Sequence, residues 1–149
     1  MKRTTGRLRL CALLLVLNIL FIWGNSLLPG EISGAISRFV KDVLAKLLFF
    51  LPQGSEPEAG HGLLRKLAHF TEFACLGVLL SWLLAMVNKP VLLAFFCGTR
   101  VAALDETIQR FVPGRGPSVW DVLIDASGVL LGVMILYIVI VRRRKQTTA

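Results

Sequence analysis

The sequence predicts an all-α, polytopic membrane protein: four transmembrane helices and one amphipathic interfacial helix, in a single domain over residues 1–149. Three observations carry that prediction. Apolar residues make up 55% of the chain and its mean hydropathy is +0.70, too apolar for a soluble domain. The charged residues, 17% of the total, are gathered between long apolar runs. Both ends are basic, a pattern that orients helices in a membrane.

Taken in order, the spans are expected over about 8–28, 67–87, 90–111 and 119–141. Each approaches the ~20 residues that cross ~30 Å of hydrocarbon at 1.5 Å per residue. The first follows Lys2, Arg3, Arg7 and Arg9. Its apolar run exceeds that of a signal peptide and no A-x-A site follows, so it reads as a retained helix. The third is interrupted by Arg100, Asp105 and Glu106, a composition that also suits a re-entrant or buried helix.

Between the first two spans, Phe39, Val40, Val43, Leu44, Leu47, Leu48 and Leu51 recur at helical spacing, with Lys41, Asp42, Ala45 and Lys46 on the other face. This predicts an amphipathic helix over about 36–51 in the outer interface, capped by Ser33 or a neighbour. The run from Pro52 to Gly60 reads as a flexible loop. Val112 to Ser118 holds two prolines and two glycines around Arg115, which predicts a tight turn.

The basic ends and Lys89 place both termini in the cytoplasm. The inner segments then hold nine Lys or Arg and no acid, and all nine acids lie outside or in the outer half of a span. The net charge of +8 therefore reads as orientation and contact with anionic lipid, not as nucleic-acid binding. Cys11, Cys75 and Cys97 fall inside spans without metal-ligand spacing, and an odd count does not make a disulfide framework.

The informative residues are acids in helices that otherwise suit hydrocarbon: Glu72, Asp105, Glu106, Asp121 and Asp125. A carboxylate there costs several kcal/mol unless it faces a partner, water or a ligand. At about 100° per residue, Arg65, His69 and Glu72 share one narrow arc, with Lys66 at its edge. Asp121, Asp125, Gly128 and Gly132 share another, and Asp105, Glu106 and Gln109 a third. Arg110 stands four residues after Glu106, a pairing distance. These polar faces lie toward one side of the membrane and must avoid lipid, so they are expected to turn toward one another. Gly128-x-x-x-Gly132 would let another helix approach closely below them.

Such a cluster suits several chemistries. His69 and Glu72 could relay a proton, with Glu106 and Asp121 as further candidate catalytic carboxylates. Arg115 offers bidentate geometry to a phosphate. Lys66, Arg100, Asp105, Gln109 and Asp125 complete the candidate ligand-binding set. No cofactor is expected, although paired carboxylates could hold a divalent cation. The plain alternative is that the acids and bases only pair with one another and fix the packing of the bundle.

Three stretches carry a family resemblance. They are Lys66-x-x-His69-Phe70-x-Glu72-Phe73-x-x-Leu76-Gly77, then Asp105-Glu106-x-x-Gln109-x-Phe111-x-Pro113-Gly114-Arg115, then Asp121-Val122-Leu123-Ile124-Asp125-x-x-Gly128-x-x-x-Gly132. In this order they resemble the VanZ-like family of small bacterial membrane proteins, and Asn25-Ser26-x-x-Pro29 with Ser33 and Ser37 is similar to its first connector. Many relatives carry Asn where this chain has Asp125, and Gly116-Pro117-Ser118 differs from common family versions. The resemblance implies a four-helix protein of the bacterial cytoplasmic membrane. It also brings an association of the namesake with low-level resistance to the glycopeptide teicoplanin, and no settled reaction.

The partners expected are membrane lipids and a lipid-linked cell-wall precursor or glycopeptide, with no nucleic acid. Binding of an anionic lipid or lipopeptide headgroup at an outer-leaflet site in the cell envelope comes first. A hydrolase or transferase acting on a phosphorylated lipid comes second, and proton-coupled transport third.

Overall fold

The computed structural model describes residues 2–48 and 59–147. Every regular element among them is helical: α1 (Lys2–Ser26), α2 (Gly30–Leu48), α3 (Ala59–Met86), α4 (Leu93–Gln109) and α5 (Val119–Thr147). Three of these contain segments long and apolar enough to cross a membrane: Thr5–Ser26, Leu63–Met86 and Val119–Arg142. The third span expected from sequence is the shorter 17-residue α4, about 25 Å long at the standard rise. The amphipathic helix starts at Gly30, well before the expected residue 36. Ser33 is therefore inside α2, its amide donating to Pro29 O at 3.0 Å, and is no cap. Leu51 and most of the Pro52–Gly60 loop lie outside the described residues.

The helices end for identifiable reasons. Asn88 takes a left-handed φ of 55°. Its amide donates to Ala85 O at 3.3 Å, and that of Lys89 to Leu84 O at 2.9 Å. This is the pairing of a Schellman stop, which ties off the last carbonyls of α3. Pro90 follows, and α4 resumes only at Leu93. At its other end α4 tightens: Phe111 donates to Ile108 O and Val112 to Gln109 O. Gly114, at φ +73°, then turns the chain back toward α5.

α3 packs against α1, α2, α4 and α5, most extensively against α5. Glycine makes that last seam. A Cβ at Gly128 or Gly132 would run into the carbonyls of Phe70 or Ala74, and one at Gly77 into that of Val129. Gly98 of α4 abuts the Val129 side chain in the same way. The Gly128–Gly132 pair thus brings two backbones together, as its spacing predicts. The core is correspondingly small: Ile22, Phe73, Leu76, Ala94, Ala102, Val129 and Val133. Large apolar side chains point outward instead, with Leu13, Leu17 and Leu20 of α1 more than half exposed. This inside-out distribution is what a hydrocarbon solvent permits.

Candidate functional site

The buried face of α4 sets the site. It reads Ala94, Gly98 and Ala102, then Asp105, Glu106 and Gln109. Small residues let α4 close against its neighbours at one end of the bundle, and polar residues fill the same face at the other. Asp105 is 0% exposed. Its Oδ2 accepts from Ser26 Oγ at 2.7 Å and Gln109 Nε2 at 2.9 Å. Gln109 Nε2 also reaches Ser26 Oγ at 3.2 Å. The last turn of α1 is thereby joined to the last turn of α4.

Arg115 reinforces that junction from the turn. Its Nη2 donates to Asn25 O at 2.9 Å, a carbonyl that also accepts from the Leu28 amide at 3.3 Å, and its Nε donates to Leu28 O at 3.1 Å, just past the end of α1. Nη1 reaches Gln109 Oε1 at 3.4 Å. The Gly30 amide donates to Pro113 O at 3.1 Å beside it. Burial, then the neighbouring Arg65 charge, push the Arg115 pKa below its ordinary value, although a guanidinium stays charged in proteins.

The remaining sequence candidates lie around this core. Glu72 Oε1 accepts from Asn25 Nδ2 at 2.8 Å. His69 Nδ1 sits 3.9 Å from Asp105 Oδ2, too far for a hydrogen bond. Lys66 Nζ pairs with Asp121 Oδ1 at 3.2 Å near the surface. Glu106 Oε2 accepts from the Ser118 amide at 2.9 Å, just before α5 begins. That position favours a negative charge. It also corrects the expected Glu106–Arg110 pair: Arg110 is exposed, and no ion pair joins the two among the described residues. Asp125 is 1% exposed, with neither carboxylate oxygen hydrogen-bonded.

Two cavities meet at His69. The larger, about 690 Å³, opens between α1, α2 and α3 and reaches Arg115. Its walls are apolar along Phe21, Leu28, Ile36, Val40, Leu64 and Leu67, and polar where Asn25, Arg65, His69, Glu72 and Arg115 gather. The smaller, about 10 Å³, lies between α3, α4 and α5, bordered by Arg65, Lys66, His69, Glu106, Gln109, Asp121 and Asp125. Nine of the ten sequence candidates therefore collect at one end of the bundle. Arg100 does not: it is an exposed residue of α4 that borders neither cavity.

A family model described as VanZ/LLP1 matches residues 10–141. The chain belongs to the VanZ/LLP1 family. No curated protein and no solved structure matches it. The match runs from α1 into α5 and so takes in every element of the site.

Within this VanZ/LLP1 chain, sequence reasoning underrated α1. Asn25 and Ser26 were visible in Asn25-Ser26-x-x-Pro29, but nothing in the motif says that they reach Glu72 and Asp105. Asn18 was passed over entirely. It borders the larger cavity and its buried Oδ1 has no hydrogen bond. The available signal was its place two turns before Asn25, on the same face of an otherwise apolar helix.

Proposed function

We propose that this VanZ/LLP1 protein is a multi-pass protein of the bacterial cytoplasmic membrane that binds a lipid or lipopeptide with an anionic headgroup, at the outer leaflet. α4 serves as its fourth span and both termini face the cytoplasm. One observation carries the reading: the 690 Å³ cleft is apolar along α1, α2 and α3 and polar at one end, matching an acyl chain joined to a headgroup. The amphipathic α2 forms one wall through Ile36 and Val40. Arg65 borders both cavities and has no hydrogen bond or ion pair among the described residues. It is the cation left to meet the headgroup, since Arg115 is engaged by backbone carbonyls. A lipid-linked wall precursor or the acylated glycopeptide teicoplanin has this amphipathic form, which connects the site to the resistance associated with the family's namesake.

The hydrolase alternative is less well supported. The buried Ser26 hydroxyl donates to Asp105 Oδ2 at 2.7 Å, and His69 Nδ1 lies 3.9 Å from that same oxygen. The hydroxyl is therefore held by the acid and not by the imidazole, whose Nδ1 makes no hydrogen bond, unlike an activated serine.

The test is retention of phosphatidylglycerol, phosphatidylcholine, undecaprenyl phosphate and teicoplanin by purified protein, read by native mass spectrometry. The anionic ligands are expected to remain bound, with Arg65→Ala lowering their affinity about tenfold, the ~1.4 kcal/mol of one charged contact. Equal retention of phosphatidylcholine, or an unchanged Arg65→Ala, would overturn the headgroup assignment. Growth of expressing cells on teicoplanin separately tests the resistance phenotype.

A further inference from the structure

Behind the larger cleft, several buried polar atoms of the bundle have no hydrogen-bond partner. His69 Nδ1, Asp105 Oδ1 and both oxygens of Asp125 are buried and make no hydrogen bond. Asp105 is 0% and Asp125 1% exposed. Leaving such groups unpaired in a low-dielectric interior is costly. Donor atoms of His69, Asp105 and Asp125, from three different helices, all lie within 4.8 Å of one another.

We propose that His69, Asp105 and Asp125 hold a divalent transition-metal cation at the junction of α3, α4 and α5.

Four features support this site. Donors around a cation bound at ~2.1 Å stand about 3.0–4.2 Å apart, and one donor atom from each of the three residues already lies within 4.8 Å of the other two. Asp105 is already oriented: its Oδ2 takes the Ser26 and Gln109 hydrogen bonds, leaving Oδ1 free. Hydrogen-bonded support of a ligating carboxylate is the usual second shell of a metal site. The 10 Å³ cavity bordered by His69 and Asp125 has room for one water-sized species. Finally, the fully ionised cluster sets Glu72, Asp105, Glu106, Asp121 and Asp125 against Arg65, Lys66 and Arg115, a deficit of two charges with His69 neutral.

One imidazole and two carboxylates suit zinc, manganese or ferrous iron better than a purely oxygen-seeking cation. Lys66 and Asp121 border the small cavity, and their side chains are partly exposed. Because His69 also borders the lipid cleft, a cation held there would add positive charge beneath the headgroup.

The test needs no lipid, so its failure is distinct from failure of the proposed function. Full-length, tag-free protein in detergent is stripped with chelator, equilibrated with zinc or manganese, freed of excess ion and assayed by inductively coupled plasma mass spectrometry. About one ion per chain is expected, falling at least tenfold in Asp125→Asn and His69→Ala and unchanged in Arg100→Ala. X-ray absorption of the loaded wild-type protein reads the ligand shell directly, so the test stands even where a variant does not fold. A mixed imidazole-nitrogen and carboxylate-oxygen shell supports the site. Ion content below a tenth per chain, an all-oxygen shell, or a well-folded Asp125→Asn that keeps its metal overturns it and leaves protonated carboxyls as the account of the cluster.

Discussion

The seam between α3 and α5 and the cleft between α1, α2 and α3 use the same helix in opposite ways. At the seam, Gly77, Gly128 and Gly132 bring backbone against backbone, with no space for even a methyl group. At the cleft, side chains hold the helices apart around some 690 Å³. Helix association within a membrane gains little from hydrophobicity, because lipid tails are as apolar as Leu; it depends on close packing and polar contacts. The seam supplies the packing. The cleft forgoes it, and a bound amphiphile would supply the missing contacts. His69 stands where the two regions meet, facing the cleft while bordering the small cavity behind it.

The largest effect should come from forcing the seam open. Gly132→Leu or Gly128→Leu drives a branched side chain into the Ala74 or Phe70 carbonyl, and overpacking of this kind costs about 3 kcal/mol or more. The expected outcome is loss of the monodisperse species on size exclusion and a large fall in melting temperature. In the cleft, Ile36→Leu should change stability by only about 0.5 kcal/mol or less. Equal tolerance at both places would abolish the distinction between a packed seam and an open cleft.

Next comes the polar strap that joins the two regions. Arg115→Ala removes donors from Asn25 O, which keeps the Leu28 amide, and from Leu28 O, and an unsatisfied, partly buried carbonyl costs about 1–3 kcal/mol. Thermal unfolding should show that loss. Arg115→Lys should recover part of it, because an ammonium cannot reproduce the planar fork that reaches both carbonyls and Gln109. Full recovery by Lys would mean that charge alone matters at this position. A loss of lipid binding without a loss of stability would move Arg115 from strap to headgroup contact.

What the sequence could reveal follows the same division. The helical class, the close approach at Gly128 and Gly132, and the gathering of Asp105, Glu106, Gln109, Asp121 and His69 were legible, because helical periodicity links sequence position to face. The boundaries of α2 and α4 were less so. They depend on Pro29, the Schellman stop at Asn88 and the tightened turn at Phe111, local geometry that hydropathy does not record. The partners of each charge were not legible at all. Glu106 favours the Ser118 amide over Arg110, and Arg115 favours carbonyls over carboxylates. Such choices turn on the relative rotation of packed helices, which a single sequence does not fix. The role of α1 stayed hidden for the same reason: Ser26 and Asp105 are 79 residues apart.

The smallest effect tests where the seam ends. Lys66 and Asp121 connect α3 to α5 at the rim, with side chains 42% and 19% exposed. Water screens such a pair, and its contribution should be about 0.2–1 kcal/mol. A double-mutant cycle of Lys66→Ala and Asp121→Ala should yield a coupling in that range, shrinking as salt is raised toward 1 M, where the screening length is ~3 Å. A coupling above about 2 kcal/mol that ignored salt would place the pair in a desolvated setting. The glycine seam would then reach the surface as one continuous rigid interface, and any path from the rim to the small cavity would have to open through it.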